Sequence, residues 1–205
     1  MDPRQRRKRR RRAGAISAFM VFALGLAFFF ESQATTTVIF VRHADAPMFV
    51  DANTSLSPAG ALRAEELVRV LGDVDVVQGV DAIFSSPLRV NQETAAPLAR
   101  QLNLPVQEFD PQNNRALRKR ILRKYKGKVV LVVAEPDLIP KVVARLQGSK
   151  KIPPMGDGEY DNIYIVSIPW YGKVKTLRLH YGARPEPVNG LAPSSPSEAL
   201  SLINI

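Results

Sequence analysis

The stretch VIFVRHADAP, residues 38–47, places an arginine, a histidine and an aspartate at the end of an apolar run. Such a run reads as a strand buried on both faces, and the polar residues mark where the strand leaves the core. In open α/β sheets, ligands bind beyond the carboxyl ends of the strands, so Arg42 and His43 stand where a ligand is expected. A strand-end histidine can equally be a hydrogen-bonded structural residue. The chain holds only one other histidine, His180, so chemistry that needs an imidazole pair has no spare residue to draw on.

On either side of this strand, apolar runs alternate with amphipathic ones, the pattern of an α/β domain. SPAGALRAEELVRVLGD predicts a helix with Ser57 as N-cap, Pro58 at the first helical position and Gly72 just past the end. DAIFSS predicts a short strand, LRVNQETAAPLARQLN a helix and VQEF a further strand. NRALRKRILRKY predicts a basic helix, KVVLVVAE a strongly apolar strand and IPKVVARLQG the helix after it. NIYIVSIP and KVKTLRLHYG predict a closing hairpin around WYGK, with Thr176, Arg178 and His180 on its polar face. The expectation is an α/β domain over residues 37–182, with a mainly parallel sheet flanked by helices. From residue 183 to 205 the Pro- and Ser-rich tail has no periodicity and is expected to be disordered.

The formal net charge of +10 is unevenly placed. Residues 1–12 hold eight Lys and Arg against Asp2, which is +7, so only +3 remains for the rest of the chain. The high charge therefore describes a basic leader and gives no reason to expect a nucleic-acid partner. Residues 13–30, AGAISAFMVFALGLAFFF, carry no charge. As a helix this run would span roughly 27 Å, close to the thickness of a bilayer core. A basic block before it predicts a single transmembrane anchor with a cytoplasmic N-terminus, a linker over 31–36, and a domain on the extracytoplasmic, periplasmic side. The rival reading is a signal peptide cleaved near Ala34, after the small residues SQA, which leaves the domain secreted. The absence of cysteine excludes disulfides, thiolate metal sites and thiol catalysis.

In chain order, VIFVRHADA, LSPAGALRAEEL, IFSSPLRVNQETAAPLA, VVLVVAEPDLIP and EYDNIYIVSIP resemble the histidine phosphatase superfamily, which has the phosphoglycerate mutase-like fold. The likeness spans Thr37 to Gly182 and is closest to members that read Arg-His-Ala-Glu where others read Arg-His-Gly. It implies phosphoryl transfer through a phosphohistidine, without metal or cofactor, from a phosphorylated small molecule or a phosphoprotein. His43 would be the nucleophile and Arg42 the phosphate clamp. The physical need is for fixed positive donors around a phosphate dianion and its spreading transition-state charge, and the arginine fork matches phosphate geometry. Asp45 stands where relatives have glutamate, either orienting a pocket group or serving as a turn residue.

Two of the family's positions are not filled as the resemblance implies. Its second arginine lies four residues before the threonine of a Thr-Ala pair, which here lands on Val90. Arg89 is adjacent, and on a helix one residue is a rotation of about 100°. Arg89 is thus either a displaced second clamp or a surface residue. The family's second histidine aligns with Glu135. A carboxylate about 4 Å from bound phosphate would repel it by roughly 4 kcal/mol at an effective dielectric near 20. Glu135 would therefore act as a protonated acid, or else it and Asp137 merely complement the positive end of the next helix. The residues thus predict a membrane-anchored phosphatase with a depleted site and weak activity, or a pseudophosphatase that binds a phosphorylated ligand or protein without turnover. The basic helix, with Leu117, Ile121 and Leu122 as its apolar stripe, is either a solvated face or a surface for anionic headgroups or an acidic partner.

Overall fold

The computed structural model describes residues 3–31, 35–72, 79–156 and 158–182. A long helix, α1 (Pro3–Glu31), precedes the central strand β1 (Thr36–Arg42), which is followed by α2 (Pro58–Gly72), β2 (Ala82–Ser85) and α3 (Arg89–Leu102). Then come β3 (Val106–Glu108), α4 (Asn114–Lys124), β4 (Val129–Ala134), α5 (Leu138–Arg145) and the hairpin β5 (Asn162–Ile168) with β6 (Lys175–His180). Each element expected between residues 37 and 182 is present, in the expected order. Gly72 is the last residue of α2 rather than the first beyond it. The tail from residue 183 lies outside the described residues. Among those described, no helix is long and apolar enough to cross a membrane, so the anchor reading of residues 13–30 rests on the sequence.

The six strands form one mixed sheet in the order β3-β2-β4-β1-β5-β6. Its β3, β2, β4 and β1 run parallel, while β5 is antiparallel to β1 and β6 to β5. Successive side chains of β1 point to opposite faces, and both faces are covered. Val38 and Phe40 join Leu117, Ile121, Ile139 and Val142 of α4 and α5 in one core layer. Ile39 and Val41 join Leu67, Leu71, Ala95 and Leu98 of α2 and α3 in the other. This two-sided burial explains the unbroken apolar sequence of β1 and fixes the point where its polar residues emerge.

The hairpin behaves differently from the centre of the sheet. Leu177 and Leu179 of the edge strand are 55% and 42% exposed, whereas Thr176 and Arg178 are half-buried. Thr176 Oγ1 accepts from the Ser149 backbone N–H at 2.9 Å, and Arg178 donates to Asn162 Oδ1 at 2.6 Å. Thr176 and Arg178 of the polar face are therefore the more covered residues, while His180 is exposed.

The segment after β1 is held against the start of α2. Ser57 donates from its backbone N–H and its hydroxyl to the Asp45 carbonyl, at 2.9 and 3.1 Å. Its Oγ also accepts from the Gly60 N–H at 3.1 Å, the N-cap bond that the sequence predicts. Gly60 is required by closeness, because a Cβ there would lie 2.0 Å from the Asp45 carbonyl oxygen. Gly60→Ala is expected to lower the unfolding free energy by about 1–3 kcal/mol through forced backbone shift, read as a lower urea midpoint. An unchanged midpoint would mean that α2 slides freely past the strand end.

Candidate active site

In the parallel register of β1 with β4, Arg42 lies opposite Ala134. The next residues along the two strands, His43 and Glu135, therefore emerge side by side at the carboxyl edge, on backbones about 4.8 Å apart. This pairing, set by strand register, is what brings a histidine and a carboxylate into one site.

His43 is 5% exposed. Its Nδ1 lies 2.8 Å from the Ala44 carbonyl oxygen, and a carbonyl can only accept. Nδ1 therefore carries the proton, leaving the Nε2 lone pair available. Burial pushes the imidazole pKa below its ordinary 6.5; the Ala44 carbonyl opposes this, Arg42 adds to it, and Glu135 and Asp45 oppose it. The result is a neutral imidazole of fixed tautomer, the form a nucleophile needs.

Arg42 is 6% exposed. Its guanidinium donates to the carbonyls of Gly156 and Glu159 at 2.9 and 3.4 Å, and Tyr160 lies over it with the ring centroid 4.2 Å from Cζ. The same tyrosine ring sits 5.8 Å from the His43 ring. The loop before β5 thus covers both residues. Tyr160 was not picked out in the sequence, because its role depends on a loop returning from more than a hundred residues away.

The Glu135 backbone carbonyl accepts from the Leu138 and Ile139 N–H groups at the start of α5, at 3.0 and 3.3 Å, while its side chain turns toward β2. Its Oε1 accepts from the Ser86 hydroxyl at 2.8 Å, and Ser86 in turn accepts from Asn91 Nδ2 at 2.6 Å. Oε2 of Glu135 and Oδ1 of Asn91 are buried without a hydrogen-bond partner among the described residues. Asp137, at the N-cap of α5, makes no side-chain capping bond. Ser86 and Asn91 sit in the SSPLRVN turn, and their part in the site is visible only once β2 is placed beside β4.

The remaining sequence candidates fall around this centre. Val90 is fully buried, and Arg89 turns outward to Glu93 of its own helix, Nε to Oε1 at 2.8 Å. Asp45 pairs with Arg63 of α2 through the arginine Nε, with Nη2 a further 3.4 Å contact. Thr94 accepts from the Ala44 N–H at 2.9 Å and donates to the Val90 carbonyl at 2.7 Å, which ties α3 to the backbone just past His43. His180, opposite Asn162 on β6, stands near the same sheet edge, but its Nδ1 is engaged with Asp161 Oδ2 at 2.9 Å.

Residues 38–111 match the family model of the histidine phosphatase superfamily (branch 1). Several solved structures share the fold. A mycobacterial glucosyl-3-phosphoglycerate phosphatase in complex with inorganic phosphate is 18% identical, with a TM-score of 0.54, over 72% of this chain and 97% of that one. The protein histidine phosphatase SixA, complexed with tungstate, is 20% identical with a TM-score of 0.56, over 70% and 96%. A phosphoglycerate mutase from Plasmodium falciparum is 17% identical with a TM-score of 0.54, over 76% and 98%. No curated protein sequence matches the chain.

Two measurements check this geometry. In an NMR pH titration, the His43 imidazole should titrate below 6.5. As the pH falls through that value the unfolded chain takes up the proton first, so His43 lowers stability on the acid side and is silent above it. A His43 pKa at or above 6.5 would contradict the buried neutral form. Separately, Thr94→Val should cost about 1–3 kcal/mol by leaving the Ala44 N–H buried and unpaired, measured by denaturant unfolding.

Proposed function

We propose that the chain belongs to the histidine phosphatase superfamily and hydrolyses phosphomonoesters slowly through a phosphohistidine at His43. The observation that carries this is the pairing of His43, protonated at Nδ1 so that the Nε2 lone pair is available, with a Glu135 carboxylate oxygen that has no hydrogen-bond partner among the described residues. The His43 lone pair attacks phosphorus, the ester P–O bond breaks, and the leaving oxygen takes a proton from the acid form of Glu135. Water then attacks phosphorus as the N–P bond breaks, and its proton returns to Glu135 while phosphate departs. Arg42 neutralises the equatorial oxygens. To do so it exchanges its bonds to the Gly156 and Glu159 carbonyls for bonds to phosphate, so the covering loop moves aside during binding.

The slowness follows from charge. The superfamily resemblance implies a second arginine where Val90 is buried and a second histidine where Glu135 stands. Arg89 reaches phosphate only by releasing Glu93. This depletion favours a second reading, in which the same site binds a phosphorylated ligand or a phosphoprotein without turnover. The loop after His43 presents Met48 and Phe49, 91% and 86% exposed, an apolar lip suited to an aryl ester or a protein segment.

The reading extends to location. The uncharged run 13–30, inside helix α1 and after a basic block, supports a single transmembrane anchor with the domain on the extracytoplasmic side. Cleavage near Ala34 is the alternative, and an intact N-terminus in the membrane fraction would separate the two.

Hydrolysis of an aryl phosphate by the full chain, from acidic to neutral pH, tests the chemistry. Activity should vanish in His43→Ala. Glu135→Gln keeps an acceptor for Ser86 but cannot donate a proton, and should lower kcat by roughly 100-fold or more. If the site only binds, Glu135→Gln should instead tighten phosphate binding by removing a repulsive charge, with no activity in either protein.

A further inference from the structure

The edge of the domain opposite His43 carries features that the proposed chemistry does not use. Because β5 is antiparallel to β1, Ile168 pairs with Thr36. The turn joining β5 to β6 therefore lies beside the point where the chain enters the domain. On this turn Trp170 is 53% and Tyr171 88% exposed. The Trp170 ring meets Phe29 of α1 edge-on, with centroids 6.1 Å apart. Phe29 is the penultimate residue of the uncharged run 13–30, so the turn sits at the level where that run ends. A groove of about 190 Å³ lined by Thr36, Leu122, Lys126, Ile168, Pro169 and Trp170 opens at the same place.

Basic charge gathers around this edge. Helix α4 starts after β3 at the carboxyl edge of the sheet and returns the chain to the start of β4, so its last residues and the turn after it emerge here. Residues 114–128 hold eight Lys and Arg and no acid, and residues 169–175 hold Lys173 and Lys175 and no acid. Lys128 pairs with Asp81 at 3.1 Å, and Lys124 lies 5.6 Å from the Tyr125 ring. The apolar stripe expected on α4 is occupied, since Leu117 and Ile121 are buried in the core. The helix offers charge to a surface and has no apolar face left to insert.

We infer that this edge is a docking face for an anionic bilayer surface. Trp170 and Tyr171 enter the headgroup layer, where amphipathic rings are most stable, and the surrounding lysines and arginines hold lipid phosphates. The inference rests on the anchor reading of residues 13–30 and adds an orientation to it. β1 has seven residues, which at about 3.3 Å each sets the site at His43 roughly 20 Å further from the membrane, facing away. An acidic protein partner would suit the lysines equally, but it would give no reason for two exposed aromatic rings at the level where the apolar run ends.

Trp170 is the sole tryptophan, so its fluorescence reports on this turn alone. The full chain is reconstituted into vesicles of phosphatidylcholine, or of phosphatidylcholine and phosphatidylglycerol in equal parts, each with and without brominated acyl chains. The expected result is several-fold stronger quenching of Trp170 by bromolipid than by aqueous iodide, greatest in the anionic vesicles. Lys173→Glu with Lys175→Glu should abolish the advantage of anionic lipid. A chain that floats with the vesicles while Trp170 is quenched by iodide and not by bromolipid overturns the docking face and leaves the anchor standing. A chain that does not float overturns the anchor, and the docking face with it.

Discussion

The burial of the Arg42 guanidinium is the constraint on which the carboxyl edge of the sheet is organised. A cation taken out of water needs partners in every direction from which water is removed. Backbone carbonyls from the loop before β5, both reached by Nη1, and the face of Tyr160 supply several of them. That requirement draws the loop across the end of β1, and the loop then covers His43 as well. The same closure depresses the imidazole pKa, by desolvation first, while the Ala44 carbonyl selects the tautomer. Charge and access at His43 thus share one cause, and the tautomer is set locally by Ala44.

The order of elements was legible because β1 and β4 are buried on both faces and the helices between them carry clear starts and breaks. Ser57 and Pro58 mark the start of α2 in the sequence, and the structure shows the Ser57 capping bond; the need for Gly60 emerges only from the closeness of the Asp45 carbonyl. The pair Arg42 and His43 was legible for the same cause, since an apolar strand that ends in charge must end at the sheet edge. Tyr160, Ser86 and Asn91 were not. They reach the site through β-strand register and a long-range loop, and neither leaves a periodic trace in the chain. The direction of the Glu135 carboxylate also needed the structure, because only the position of Ser86 reveals which way it turns.

The charge pattern divides the domain along the length of β1. The site edge keeps one deeply buried cation beside Glu135, and its other arginines, Arg63, Arg89 and Arg178, are paired with Asp45, Glu93 and Glu159. Among the described residues, the opposite edge gathers Lys124, Lys126, Lys128, Lys173 and Lys175, with Asp81 paired to Lys128. The proposed function and the inferred docking face assign the two ends separate tasks: binding of a phosphorylated ligand at one, and attraction to an anionic surface at the other. Arg42 is then the main positive charge that a bound phosphate can recruit, which accounts for the low turnover expected.

The most direct test of the account is to find where phosphate resides during turnover. The full chain is incubated with an aryl phosphate, quenched in base, and its peptides are searched for acid-labile phosphate. The account predicts phosphorylation of His43 at Nε2 and none at His180. Phosphate on His180, or steady hydrolysis with no phosphohistidine on the peptide that carries His43, would contradict it.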